Sequence, residues 1–301
     1  MHMPLPLLHP RHWFSWFAVL LLRIIALLPF KIKMMAGSTF GKAAYRLLKY
    51  RRHVTTTNIS LCFPEKTAVE QQQLVKDIFI ANGIGFFEIA WAWWANPESL
   101  RHRFSVEGLD VLQAATANGQ GVLLIGGHYT HLDLAGLMVN MVADIDVIYR
   151  KNNDRVFEHV ITKGRKRVFK NVLERSDMRS IVKKLRQGRV VWYSPDQDHG
   201  IRHSVFAPFF GIQTATVTAT AKLMKMGNAT AVFVAHKRDL TSNQYTVTFS
   251  KPQQAFPTGE DVADATIINQ MIEHSIRQQP DQYMWVHRRF KTRPEGEPSV
   301  Y

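Results

Sequence analysis

His128, His131 and Asp133 stand close together in GVLLIGGHYTHLDLAG (Gly121 to Gly136). An imidazole beside a carboxylate is the pairing that general-base catalysis uses. The acid fixes the tautomer of the ring and raises the basicity of its free nitrogen. His128 and Asp133 are five positions apart, about 500° around an ideal helix, so their side chains diverge by roughly 140° if both are helical. They can meet if His128 lies in a turn and Asp133 in the first turn of the helix that follows, with Gly126 and Gly127 supplying backbone freedom. His131 is a secondary candidate base, since its i, i+2 relation to Asp133 points the two apart on a helix. A structural role competes with the chemical one: Thr130-x-x-Asp133 resembles a capping box, and an acid is favourable at a helix N-terminus. Both roles can hold together.

Other chemistries fit less well. H-x-x-H-x-D departs from the H-x-H-x-D-H spacing of a zinc hydrolase, and no downstream histidine falls in an obvious ligand pattern. No G-x-S-x-G elbow is present, which disfavours a serine hydrolase. The single cysteine, Cys62, rules out an intrachain disulfide framework and a multi-cysteine metal knuckle, and reads as packing.

The elements that must position these residues read as an α/β chain from Phe104 onward. FSVEG, GVLLIGG, DVIYR, RVVWYSPDQD, ATAVFVAHKRD and QYTVTFS are strands. LDVLQAATANG, LDLAGLMVNMV, NDRVFEHVITKGRKR, SDMRSIVKKLRQG and TVTATAKLMKMG are helices, and a long helix over Asp261 to Gln278 closes the domain. Upstream, Ala68 to Trp94 is helical with interruptions at Asn82, Gly83 and Gly85. The expected fold is α/β, a central mixed sheet flanked by helices, with GVLLIGGH delivering His128 to the carboxyl edge of the sheet, where loops hold ligands.

The first part of the chain reads as a membrane anchor. Trp13 to Phe30 (WFSWFAVLLLRIIALLPF) carries one charge, Arg23, and spans roughly 27 Å as a helix. An arginine near mid-span costs about 2.5–3.5 kcal/mol, so a helix lying in the interface competes with a spanning one. The basic residues between Lys31 and Arg52 place the remainder on the cytoplasmic side and suit anionic headgroups, although a solvated helix face explains them equally well. The division is residues 1–35 as anchor and 36–301 as catalytic domain. The whole chain of 301 residues has 38 Lys and Arg against 24 Asp and Glu, a formal charge of +14. That excess favours an anionic partner. No recognition element for nucleic acid accompanies it.

HYTHLD satisfies H-x-x-x-x-D, the signature of the lysophospholipid and glycerolipid acyltransferase superfamily. NISLCFP (Asn58 to Pro64), VEGLD (Val106 to Asp110), WYSPDQDHG (Trp192 to Gly200), FAPFFG (Phe206 to Gly211) and YMWVHRRFKTRP (Tyr283 to Pro294) narrow the likeness. Together they resemble the bacterial lipid A late acyltransferases, from LHPRHW at Leu8 to HRRFKTRP. The resemblance implies an inner-membrane enzyme with its catalytic domain on the cytoplasmic face. It would take a fatty acyl chain from acyl carrier protein and place it on a hydroxyl of a 3-hydroxyacyl chain of Kdo-bearing lipid IVA. It implies His128 as general base with Asp133 as its partner, and Arg165 (in TKGRKR) and Asp196 (in SPDQD) as substrate-site residues. No metal or cofactor is expected, because a thioester is already activated.

Overall fold

GVLLI and VVWY, apolar on both faces, become neighbouring strands in the middle of a seven-stranded sheet in the computed structural model, which describes residues 5–94 and 96–301. The strands are β1 (Phe104–Glu107), β2 (Gly121–Ile125), β3 (Ile145–Tyr149), β4 (Val172–Glu174), β5 (Val190–Tyr193), β6 (Ser204–Phe209), β7 (Ile212–Val217), β8 (Ala229–Asp239) and β9 (Gln244–Ser250). The large sheet has the order β1-β9-β8-β2-β5-β3-β4, and β6–β7 form a separate antiparallel hairpin. From β8 to β4 the strands are parallel; β9 runs against β8, and β1 follows β9. The mixed sheet expected from the sequence is present.

The helices are α1 (Trp13–Leu27), α2 (Phe30–Leu47), α3 (Lys49–Cys62), α4 (Ala68–Trp94), α5 (Leu109–Thr116), α6 (Leu132–Asn140), α7 (Arg155–Lys166), α8 (Met178–Arg186), α9 (Ala219–Gly227) and α10 (Asp261–Gln278). They cover both faces of the sheet. Val122 and Leu124 of β2 pack with α5, α6 and the end of α4, whereas Leu123 and Ile125 pack with α8, α9 and α10. Burial on both faces is why β2 reads as an unbroken apolar run, as strands of parallel sheets do.

α4 runs through Asn82, Gly83 and Gly85 without a break, so the interruption expected there is absent. The glycines serve close approach instead. A Cβ on Gly83 would stand 2.3 Å from the Gly37 carbonyl oxygen on α2, and one on Gly85 would stand 2.3 Å from the Thr130 carbonyl oxygen. Small residues let helix backbones touch, and here they also let α4 brace the loop that carries His128.

The spanning anchor is corrected. Among the described residues no helix is long and apolar enough to cross a membrane. α1 has 15 residues, about 22 Å. Pro29 ends it, because proline forces the preceding residue out of helical geometry, and Leu28 adopts ψ 145°. α2 then runs unbroken across the 35/36 boundary drawn from the sequence; residues 1–4 of that segment lie outside the described residues. One face of α1 packs on the protein through Ser15, Val19 and Leu22, with Ser15 Oγ donating to Asp154 at 2.7 Å. The other face leaves Trp13, Phe14, Phe17, Leu20 and Leu27 exposed. Lys33, counted among the headgroup-facing cations, is buried with its ammonium 4.3 Å over the Trp91 ring.

Three strands went unread in the sequence. β4 is three residues long, too short to show alternation. The β6–β7 hairpin turns on Phe210 and Gly211, both at positive φ (51° and 75°), where Asn-Gly or Asp-Gly is the usual signal. The helix expected from Thr216 begins only at Ala219, since Thr216 and Val217 belong to β7.

Candidate active site

Strand register brings His128 to its partner. In the parallel pair β2–β5, Ile125 lies opposite Tyr193. Three residues beyond those two ends stand His128 and Asp196, side by side at the carboxyl edge where the strand order offers a crevice. Asp196 Oδ1 lies 2.5 Å from His128 Nδ1, and Asp196 Oδ2 accepts from the His128 backbone N–H at 2.8 Å. Gly126 and Gly127 make this geometry possible through space, not unusual dihedrals. Neither has positive φ, but a Cβ on Gly126 would meet the Val234 carbonyl oxygen at 2.9 Å. The far side of the loop is pinned to the C-terminal segment, with Thr130 N–H donating to Gln282 O and Met284 N–H to His128 O.

This pairing revises the expected one. The carboxylate on His128 is Asp196, and no hydrogen bond joins Asp133 to His128 among the described residues. Asp133 occupies the first turn of α6 and takes Arg165 instead, accepting on Oδ1 from Nη2 at 2.7 Å and Nε at 3.0 Å. Arg165 arrives from the last turn of α7. Thr130 does not cap α6: its N-cap is His131 with no side-chain capping bond, and Thr130 Oγ1 has no hydrogen-bond partner.

His131 is not a free base. It is fully buried, and its Nε2 lies 2.9 Å from Nδ1 of the equally enclosed His236. Burial first, then the neighbouring ring and Arg238, hold the His131 pKa well below the usual value, and burial holds His236 at about 3. Below pH 6.5 the unfolded chain therefore binds protons that these rings refuse, and stability falls by about 1.4 kcal/mol per pH unit for each ring. Denaturant titrations between pH 7 and 5 should show this slope become shallower by that amount in His236→Gln; equal slopes would refute the assignment.

Electrostatics at His128 run the other way. Burial disfavours the charged ring, but the charge and hydrogen bond of Asp196 outweigh it and raise the His128 pKa above 6.5. Burial likewise penalises the Asp196 carboxylate, yet His128 overrides it and brings Asp196 down to about 2. With Nδ1 committed to Asp196, the lone pair on Nε2 is the one left to accept a proton.

His128 lines two cavities. The larger, about 870 Å³, also takes in Asp133 and Arg165; Phe169, Ile181, Leu223 and Met226 are among its apolar walls, and Arg150, Arg175, His199 and Lys222 line it as well. The smaller, about 200 Å³, is bounded by Arg51, Asn58, Asp196 and the segment Tyr283 to Arg289. An imidazole between an apolar chamber and a polar one can move a proton where an acyl chain meets a polar acceptor. The polar cavity went unread, because Arg51 and Arg288 are 237 positions apart and only the fold joins them.

The family model described as "Bacterial lipid A biosynthesis acyltransferase" matches residues 2–292. Curated relatives align over nearly the full length. The lipid A biosynthesis palmitoleoyltransferase of Escherichia coli (strain K12) is 36% identical over 295 residues, covering 98% of this chain and 96% of the relative. The lauroyltransferase of the same strain is 36% identical over 296 residues, 98% and 97% of the two chains. The myristoyltransferase is 30% identical over 295 residues, 97% and 91%.

Proposed function

The chain belongs to the bacterial lipid A biosynthesis acyltransferase family and is an acyltransferase, and from that premise we propose that it carries a fatty acyl chain from acyl carrier protein to Kdo-bearing lipid IVA. The acceptor atom in this reading is the hydroxyl of a 3-hydroxyacyl chain. The observation that carries it is His128, half-buried between the apolar and the polar cavity with Asp196 on Nδ1.

The acyl chain lies in the larger cavity with its thioester carbonyl at His128. Nε2 takes the hydroxyl proton as the oxygen attacks that carbonyl, and Asp196 stabilises the imidazolium. The tetrahedral intermediate then collapses, the carbon–sulfur bond breaks, and the imidazolium returns its proton to the departing thiolate. A well-placed base contributes about 10²–10⁴-fold. The oxyanion needs donors aimed at it. The backbone N–H groups of Gly126 and His128 are spent on Tyr193 O and Asp196, which leaves the Gly127 N–H, unbonded among the described residues, and Arg165. Arg165 uses Nε and Nη2 on Asp133 and keeps Nη1 without a hydrogen-bond partner among the described residues. We assign Arg165 to the oxyanion and Asp133 to holding it there.

The test is mass spectrometry of the lipid made by the purified protein from acyl carrier protein thioester and Kdo-bearing lipid IVA. The expected product is heavier by one acyl group, attached through a 3-hydroxyacyl oxygen. Acylation of another glycolipid or glycerolipid with no transfer to lipid IVA would overturn the acceptor assignment.

The same reading seats the protein on the inner membrane by its first helices, lying in the interface and not crossing it. The exposed row Phe14, Phe17, Leu20 and Leu27 supplies the apolar face, and exposed Lys31, Lys42 and Arg46 lie on the segment that follows. Burying one such side chain contributes about 1.5–3 kcal/mol, so Phe14→Glu/Leu20→Glu should lower binding to phosphatidylglycerol-containing vesicles by at least about a hundredfold. Undiminished sedimentation with vesicles would refute this seat.

A further inference from the structure

The smaller cavity holds charge that proton transfer does not use. Arg51, on the first turn of α3, and Arg288 and Arg289, on the C-terminal segment, all line it. None of the three makes an ion pair among the described residues. The acids of this cavity are already committed. Asp196 is on His128, and Asp198 accepts from the backbone N–H and the hydroxyl of Thr292 at 2.8 and 2.9 Å, with Lys291 beside it. Arg289 is buried and turned to the protein, donating to Ala215 O at 2.8 Å. Arg51 and Arg288 are exposed, and of the Arg51 side-chain donors only Nη1 is used within the protein among the described residues.

The cavity is also built, not incidental. Asn58 Nδ2 donates to Trp285 O at 2.7 Å and His287 O at 2.8 Å, and Arg51 Nη1 donates to Val286 O at 3.1 Å, so α3 and the C-terminal segment are fixed to each other. The hydroxyl of Tyr301 hydrogen-bonds Asn58 Oδ1, and its ring lies 5.1 Å from the Arg288 guanidinium carbon, which orients that side chain. The segment is tied to the base by the bond from Met284 N–H to His128 O, 3.0 Å. Two guanidinium groups lining one small cavity with the proton acceptor, whose two carboxylates, Asp196 and Asp198, are already occupied, match an oxyanion with several equivalent acceptor atoms.

We propose that this cavity is a phosphate subsite, in which Arg51 and Arg288 clamp a phosphate ester of one substrate and thereby set the hydroxyl or the thioester against His128. The inference rests on the acyl-transfer reading above. The phosphate has two possible sources under it, a sugar phosphate of the glycolipid acceptor or the phosphodiester of the donor's pantetheine arm.

The experiment measures KM for each substrate in Arg51→Gln, Arg288→Gln and the double variant. Charge-assisted hydrogen bonds of this kind are lost at roughly tenfold or more apiece. If the acceptor supplies the phosphate, its KM rises by about that factor per arginine, kcat falls far less, and the gap from wild type closes on an acceptor stripped of that phosphate. If the donor supplies it, the donor's KM rises and the acceptor's does not. Either result supports the subsite and names its source. Unchanged KM for both substrates would overturn it while leaving acyl transfer intact. Should wild-type protein transfer no acyl chain, the functional reading fails on its own. Calorimetry with glucosamine 1-phosphate and pantetheine 4′-phosphate then decides the subsite: binding by wild type that drops at least tenfold in the double variant supports it, and equal affinity overturns it.

Discussion

Replacing His128 with alanine should lower kcat by about 10³-fold and leave KM for the acceptor within a few-fold. A general base acts on the transition state and contributes little to ground-state binding, so its loss appears in kcat. His199 and His203 share the larger cavity with His128, but among the described residues no other imidazole is ion-paired to a carboxylate as His128 is. His131 and His236 are enclosed and occupied with each other. His287 lies in the polar cavity on the C-terminal segment, without a carboxylate behind it, and its pKa is held below the usual value by burial and by the charge of His128. Single-turnover acyl transfer with the purified variant checks the expectation; a rate within tenfold of wild type would remove His128 from the chemistry.

The second large effect separates the two aspartates. Asp196→Asn keeps the shape of the pocket but takes away the charge that orients and supports the imidazole, and amide-for-acid changes at such positions cost up to about 10⁴-fold in kcat. The amide also offers an N–H where His128 Nδ1–H needs an acceptor, which favours the wrong tautomer. Asp133→Asn acts elsewhere. It loosens Arg165, which Asp133 holds through two hydrogen bonds to one oxygen, and leaves the His128–Asp196 contact untouched. Its loss in kcat should therefore be matched by Arg165→Gln. The double variant Asp133→Asn/Arg165→Gln should be little worse than either single one, as expected of two residues acting as a unit. Multiplicative losses would show that Asp133 does something besides holding Arg165.

His128 was legible because a buried strand ending in glycines and a histidine is a pattern in one short stretch. Its partner was harder to read. Asp133 sits five residues away and completes a motif, whereas Asp196 is 68 positions distant and becomes a neighbour only once β2 and β5 are known to pair in register. The resemblance named Asp196 as a substrate-site residue, and only the β2–β5 register, three residues beyond Ile125 and Tyr193, turns it into the partner of His128. The same locality explains other differences. An 18-residue apolar window implied a span, but Pro29 and the packing of Ser15, Val19 and Leu22 make α1 a short helix with one face on the protein. Gly83 and Gly85 read as helix breakers by propensity, yet their missing side chains are what α2 and the Thr130 loop require. Alternation and strand length were enough for the central sheet, because those signals lie within single elements. The polar cavity gathers α3 and the C-terminal segment from opposite ends of the chain, where no local pattern can report it.

The pH dependence of kcat/KM in wild type and Asp196→Asn tests most directly whether His128, held by Asp196, is the proton acceptor. The base works when neutral, so activity rises with pH through its pKa, and in wild type that limb should lie above 6.5 because Asp196 raises it. Without that charge, burial alone remains, and the limb of the variant should move below 6.5 while its plateau falls. A limb that stays in place in Asp196→Asn and moves instead in Asp133→Asn would contradict the assignment and restore Asp133 as the partner of the base.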